Sequence, residues 1–257
     1  MLMNTKTKKT LSIILTWLCV GVFIYAAYGL IDTAIDYYKN RKVLNNLQET
    51  FYNSDNPIID GEYASESNSI RSGFDRLLKE NDELVGWITI EGTQIDYPIL
   101  QADNNVDYLN RNFYKEKNIA GSIFMDFRND VQNPSLNTII YGHRVKDGSM
   151  FEQLTKFQDK DFFKTHKTFE FDTLYDSYIA EIFAVYITKT DFDYIQTDFA
   201  SDTEYEQLLT GIREKSMYET DVEVNPDDHI LTLSTCDYEL DPNDGRLVVQ
   251  AKLVKKG

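Results

Sequence analysis

The 257 residues are 42% hydrophobic, include 17 Tyr and 15 Phe, and carry a net charge of −16 at neutral pH. That is enough apolar material for one sizeable core and too little for two large ones. So strong an acidic excess argues against nucleic acid as a partner, and against docking on an anionic membrane by charge alone.

Leu11 to Ile31 contains no charged residue across 21 positions. As a helix it rises about 30 Å, enough to cross a bilayer's hydrocarbon, and it is longer than the roughly 7–15 residues of a signal-peptide core. Lys6, Lys8 and Lys9 precede it and Asp32 and Asp36 follow. Basic flanks stay in the cytoplasm, so the expected topology is single-pass type II, with everything after about residue 32 outside. All 42 acidic residues lie on that outer side, while three of the 26 basic ones do not, leaving the outer part near −19. The expected organisation is a cytoplasmic tail over 1–10, a membrane anchor over 11–31, a helical spacer with N-terminal helices over 32–83, and an outer domain over 84–257.

In the spacer, Val43, Leu44 and Leu47 fall at helical spacing within 35–50, and Ile70, Phe74, Leu77 and Leu78 within 69–83. Between them, 53–68 is rich in Asn, Asp, Ser and Gly and reads as a loop that breaks the helical stretch. From Leu84 the pattern changes to short strands: 85–90, 95–99, 122–127, 138–141, 168–172, 178–188, 230–236 and 247–254. Helical segments are expected at 148–157 and at 202–218, the latter capped by Ser201 or Asp202. Strands at this spacing with few helices between them suggest a closed barrel or a sandwich rather than βαβ units.

The chemistry gathers around Ile230-Leu231-Thr232-Leu233-Ser234-Thr235-Cys236. Alternating apolar residues make this a strand, Asp237 to Gly245 a loop, and Leu247 onward the returning strand. Paired strands lie about 4.8 Å apart, so Cys236 at the end of one and Arg246 at the start of the next can face one pocket. The only other cysteine, Cys19, is in the apolar helix, so Cys236 is an unpaired thiol in a compartment where thiols usually pair. It is either a buried small hydrophobe or a reactive group. Asp237, Glu239, Asp241 and Asp244 crowd its loop and would oppose ionisation, and Arg246 is the expected counter-charge. His143, in Tyr141-Gly142-His143-Arg144 at a strand end, reads as a base, a ligand or a loop residue. His166 lies among lysines, and His229 precedes Cys236 by a strand length of about 20 Å. No paired Cys or His spacing favours zinc, and neither a calcium loop nor a phosphate loop is present, so no metal or cofactor is expected.

Thr232-Leu233-Ser234-Thr235-Cys236, with Arg246 on the next strand and Tyr141-Gly142-His143 upstream, resembles the active-site set of sortases, the membrane-anchored cysteine transpeptidases of Gram-positive bacteria. Lys146-Asp147-Gly148-Ser149-Met150-Phe151 and the helix-bearing stretch 190–226 resemble class B members in particular. Arg144 stands where a small amide residue would be expected. The resemblance covers roughly 84–254. It implies a mostly β (α+β) fold: a closed sortase-type β-barrel of about eight strands, with N-terminal helices and a helix inserted between the sixth and seventh strands. It further implies that Cys236 attacks a threonine carbonyl in a C-terminal sorting signal of the Asn-Pro-x-Thr or Pro-x-Thr-Gly type to form a thioester. His143 handles the amine's proton, and Arg246 holds the substrate backbone or the oxyanion. Ser234 and Thr235 would line the floor, with Tyr186 or Tyr194 as a wall. The implied partners are secreted proteins bearing the signal and an amine of the peptidoglycan precursor, or a pilin lysine.

Three other classes share part of this pattern. An L,D-transpeptidase also uses His and Cys in this chain order, but with a histidine close before the cysteine, which Ser234-Thr235-Cys236 lacks. Papain-like and NlpC-type peptidases place the cysteine first, at a helix start. A non-catalytic anchored surface-binding module would keep Cys236 buried and inert.

Overall fold

The computed structural model describes residues 5–53 and 70–256. The expected loop over 53–68 lies outside these residues except for Asn53, which is a turn. A single helix, α1, runs unbroken over Thr5–Tyr52. The helical spacing expected over 35–50 falls within it. No proline occurs in this span, and interior glycines such as Gly21 and Gly29 cost a helix only about 1 kcal/mol each. Its first half is apolar and exposed, with a mean hydropathy of 2.1, long and apolar enough to cross a membrane by length and composition. Its second half packs on the barrel: Leu44, Leu47 and Phe51 are buried, and Phe51 stacks on Trp87 at 4.1 Å between ring centroids. Polar ties fix the same half. Arg41 donates to the Asp147 carbonyl at 3.0 Å, Gln48 to the Asp96 carbonyl at 2.8 Å, and the Tyr52 hydroxyl to the Asp96 carboxylate at 2.8 Å. A 3-10 turn at Ser72–Phe74 leads into the short helix α2, Asp75–Glu80, which buries Leu77 against the same cluster.

Eight strands follow: β1 (Leu84–Thr89), β2 (Asp96–Leu100), β3 (Ile123–Met125), β4 (Asn137–Tyr141), β5 (Thr168–Thr173), β6 (Ser177–Lys189), β7 (Ile230–Cys236) and β8 (Gly245–Lys255). They close into a barrel in the order β1-β2-β3-β4-β7-β8-β6-β5. All neighbours are antiparallel except β2/β3 and β4/β7, which are parallel. Closure removes the exposed edges that open sheets must protect. Inward residues of alternating strands, among them Ile88, Ile99, Ile140, Val185, Leu233 and Val249, form the interior.

Two parts of the chain differ from the sequence reading. The helix expected over 148–157 is a 3-10 helix over Phe151–Gln158, and a further short helix, α3 (Lys160–Thr165), follows it, capped by the Asp159 carboxylate. The 3-10 segment buries Phe151, Leu154 and Phe157, a spacing of three that suits 3.0 residues per turn. The helix between β6 and β7, α4 (Asp202–Lys215), has the expected Ser201 cap and buries Tyr205, Leu208, Leu209 and Ile212 against the outside of β6, β7 and β8.

Candidate active site

The site forms at one end of β4, β7 and β8, and strand register builds it. β7 and β8 pair antiparallel with Cys236 directly opposite Arg246, so the two side chains leave the same face of the sheet. β4 runs parallel to β7 with Tyr141 opposite Ser234, and the Gly142 amide donates to the Ser234 carbonyl at 3.3 Å. His143 follows two residues after Tyr141, just past the end of β4 and at the same end of the sheet as Cys236. Gly142 is packed too closely for a side chain, since a Cβ there would meet the Phe151 ring at 2.8 Å and the Ile123 side chain. Phe151 in turn donates its amide to the His143 carbonyl at 2.9 Å, closing the loop behind the histidine.

The His143 ring is fixed through Nε2, 2.7 Å from the Leu109 carbonyl, which belongs to the 3-10 turn Asp107–Leu109 between β2 and β3. A carbonyl only accepts, so this contact places a proton on Nε2 and leaves Nδ1 as the nitrogen that gains or loses one. Nη1 of Arg246 donates to the Gly245 and Asn243 carbonyls at 2.8 and 3.1 Å; among the described residues its other nitrogens have no hydrogen-bond partner. Gly245 is dictated by its surroundings, because a Cβ there would collide with the Asp237 carbonyl and both the N and O of Asp241.

The charges of the 237–244 loop are balanced differently from the sequence expectation. Among the described residues Arg246 makes no ion pair. Asp241 pairs instead with Lys189 at 3.0 Å, and the buried Asp237 faces Arg144 at 3.6 Å. Backbone amides of Asn243 and Asp244, with Lys189, hold the Asp241 carboxyl down at about 2. Arg144, next in sequence to the histidine, is therefore a second cation close to the loop that follows Cys236.

The other expected site residues divide. The Tyr194 hydroxyl lies 2.8 Å from Ser234 Oγ, with both residues buried beneath the cysteine. Burial raises the Tyr194 phenol, and the nearby Arg246 charge offsets part of that, so Tyr194, Ser234, Cys236 and Arg246 are electrostatic neighbours. Thr235 points to the opposite side of β7; its hydroxyl is buried without a hydrogen-bond partner. Tyr186 is fully buried and donates to Gln250 at 2.8 Å, in a chain continuing through Thr232 to Asn137. That chain joins β6, β8, β7 and β4, and Asn137 extends it by donating to the Tyr194 and Gln196 carbonyls. Tyr186 is therefore embedded behind the cleft rather than along its wall. Sequence reasoning missed Tyr238 and Leu109. Tyr238 had a local signal, an aromatic two residues past the thiol, whereas Leu109 contributes only a backbone carbonyl and leaves no signal in its side chain.

A family model described as the sortase domain matches residues 88–254, a span that holds His143, Cys236 and Arg246. The chain belongs to the sortase family. A sortase B of Listeria monocytogenes is 41% identical over 251 residues, covering 98% of this chain and all of the relative. Among solved structures, sortase B from B. anthracis in complex with AAEK1 is 50% identical, with a TM-score of 0.76 over 86% of this chain and 99% of the other. A Staphylococcus aureus sortase B–substrate complex is 38% identical, with a TM-score of 0.77 over 87% and 100%. This sortase is thus a class B member and a cysteine transpeptidase of the kind that attaches surface proteins to the cell wall. The eight-strand barrel, the N-terminal helices and the helix between the sixth and seventh strands agree with those structures.

Proposed function

We propose that this sortase is a type II membrane protein, anchored by residues 11–31 with residues 84–257 as its extracellular catalytic domain. In this reading it cleaves Asn-Pro-x-Thr or Pro-x-Thr-Gly sorting signals after the threonine. The Cys236 thiolate attacks the threonine carbonyl carbon, and the oxyanion that develops is met by the unpaired nitrogens of Arg246. Collapse breaks the C–N bond, and His143 delivers a proton to the departing amine, leaving a thioester on Cys236. An incoming amine, from a peptidoglycan precursor or a pilin lysine, loses its proton to His143 as it attacks the thioester. The new amide forms as the C–S bond breaks, which restores the Cys236 thiolate and the protonated His143 that began the cycle. Ser234 and Tyr194 support the strand beneath the sulfur.

The observation that supports this reading is the register: Cys236 stands opposite Arg246 across β7/β8, and His143 lies just beyond the end of β4, the strand parallel to β7. Anchoring adds a kinetic advantage, because a tethered enzyme and membrane-held substrates share a thin layer and meet at high effective concentration. The test is cleavage of an Asn-Pro-x-Thr peptide, with and without an amine acceptor, followed by mass spectrometry of the products. Cys236→Ala abolishes turnover. His143→Ala and Arg246→Ala each lose at least about 10²-fold. Arg246→Lys recovers part of this, since it keeps the charge without the planar fork. Undiminished turnover by Cys236→Ala removes the assigned nucleophile.

A further inference from the structure

Between β6 and α4 the chain passes through Tyr194, Ile195 and Gln196, which belong to no strand or helix. Their consecutive carbonyls are nonetheless all held, by side chains from elsewhere in the chain. Asn137 Nδ2, on β4, donates to the Tyr194 and Gln196 carbonyls at 3.0 Å each, and Arg128 Nη2 donates to the Ile195 carbonyl between them at 3.0 Å. The groups behind Asn137 are fixed in turn. The Thr232 hydroxyl donates to Asn137 Oδ1 at 2.7 Å, Gln250 Nε2 to that hydroxyl at 2.8 Å, and the Tyr186 hydroxyl to Gln250 Oε1 at 2.8 Å. Asn137, Thr232, Gln250 and Tyr186 are all fully buried. Carbonyls only accept, so the Asn137 nitrogen faces the 194–196 segment and its oxygen faces Thr232; the amide has one orientation.

This segment borders the reactive sulfur. Ser234 and Cys236 are two residues apart on β7 and leave it on one face. The Tyr194 hydroxyl lies 2.8 Å from Ser234 Oγ, so the segment covers that face as far as the buried Ser234 and leaves it open at Cys236, which is partly exposed. A peptide that reaches the sulfur passes beside this edge. An irregular segment has no ladder of backbone bonds, so its order comes from the side chains that hold its carbonyls. We propose that Asn137 is a positioning residue: by clamping the Tyr194 and Gln196 carbonyls it fixes the edge of the cleft against which the signal peptide lies, and so sets KM rather than the chemical step. The inference rests on the reading that a signal peptide binds over Cys236. Asn137 itself is enclosed beneath the segment and takes no part in the reaction.

The test compares the full-length parent protein in detergent with Asn137→Ala and Thr232→Val. The second variant keeps the side chain's shape and removes only the hydroxyl that orients the Asn137 amide, so it serves should Asn137→Ala not fold. Hydrogen exchange read by mass spectrometry needs no substrate. In Asn137→Ala, amides over 191–199 exchange at least about fivefold faster while β7 and β8 keep their protection. In cleavage of an Asn-Pro-x-Thr peptide, KM rises about tenfold and kcat stays within about twofold, the scale of two lost neutral hydrogen bonds expressed partly in binding. Thr232→Val moves both readouts in the same direction by about threefold. Exchange over 191–199 equal to the parent's in the variants overturns the clamp. Faster exchange throughout β7 and β8 overturns it too, since Asn137 is then a general support of the barrel. Faster exchange over 191–199 with KM unchanged, or a loss confined to kcat, overturns the role in binding. A parent protein that cleaves no signal peptide counts against the reading of Cys236 instead, and the exchange comparison still decides the clamp.

Discussion

Thr235 precedes the cysteine, yet its hydroxyl is buried and unpartnered on the far side of β7. A buried donor without a partner costs about 1–3 kcal/mol. Replacing it by the isosteric valine should therefore raise stability by about 1 kcal/mol in chemical denaturation and leave peptide KM unchanged. A raised KM would show that the hydroxyl turns toward substrate. The same position marks a limit of sequence reading. The motif identifies Cys236 as the reactive thiol, but the expectation that both Ser234 and Thr235 line the floor ignores strand alternation, which sends neighbours to opposite faces. Arg246 teaches a similar lesson. The local run of acids suggested only that Arg246 offsets their charge near the sulfur, and the ion partners that Asp237 and Asp241 find, Arg144 and Lys189, are distant in sequence and brought near only by the folded barrel.

At the scale of elements, Asp126 holds together the loops around the cleft. It is fully buried just past β3 and takes two hydrogen bonds from Arg128, at 2.8 and 2.7 Å, one from Asn105 at 2.9 Å and one from the Tyr141 hydroxyl at 2.9 Å. Arg128 goes on to donate to the Ile195 carbonyl at 3.0 Å, so a single carboxylate links the β2–β3, β3–β4 and β6–β7 connections to β4. Burial pushes the Asp126 pKa up, but Arg128, its own backbone amide and Tyr141 outweigh burial and leave it below the ordinary carboxylate value. A carboxyl with a depressed folded pKa contributes fully above about pH 4 and loses that contribution as pH falls through the lower folded value. Asp126→Asn should therefore cost about 1–3 kcal/mol at neutral pH, with Arg128 partly exposed and screened, and the gap from the parent protein should narrow below about pH 4. Urea unfolding at both pH values checks this; a gap independent of pH contradicts it. None of this hub was legible in the sequence. The strands could be read from alternation, and α4 from its cap and helical spacing. The two parallel pairings that assemble the site depend on which distant strands become neighbours, and local periodicity holds no record of that.

For the whole molecule, the long helix α1 joins the apolar segment to the barrel. The helical spacing over 35–50 agrees with it, and one helix continues from the apolar segment onto the barrel without interruption. Arg41 bonds Asp147, four residues after His143, so the helix also touches the loop that carries the proposed acid–base. That pair is half-exposed and adds little on its own. The apolar contact carries the attachment: Phe51 packs face to face on Trp87 and edge-on to Tyr52. Phe51→Ala should lower stability by about 3 kcal/mol while sparing the barrel interior, measured as a lower thermal midpoint with peptide cleavage at low temperature retained. Unchanged stability would mean that α1 does not dock through this residue.

The account as a whole depends on Cys236 forming a covalent intermediate. Intact-mass spectrometry of the protein mixed rapidly with an Asn-Pro-x-Thr peptide tests this most directly. The expected result is an adduct of the peptide up to and including its threonine, mapped to Cys236, absent in Cys236→Ala and discharged by an added amine. Peptide cleavage with no adduct on Cys236, or an adduct on another residue, would contradict the account.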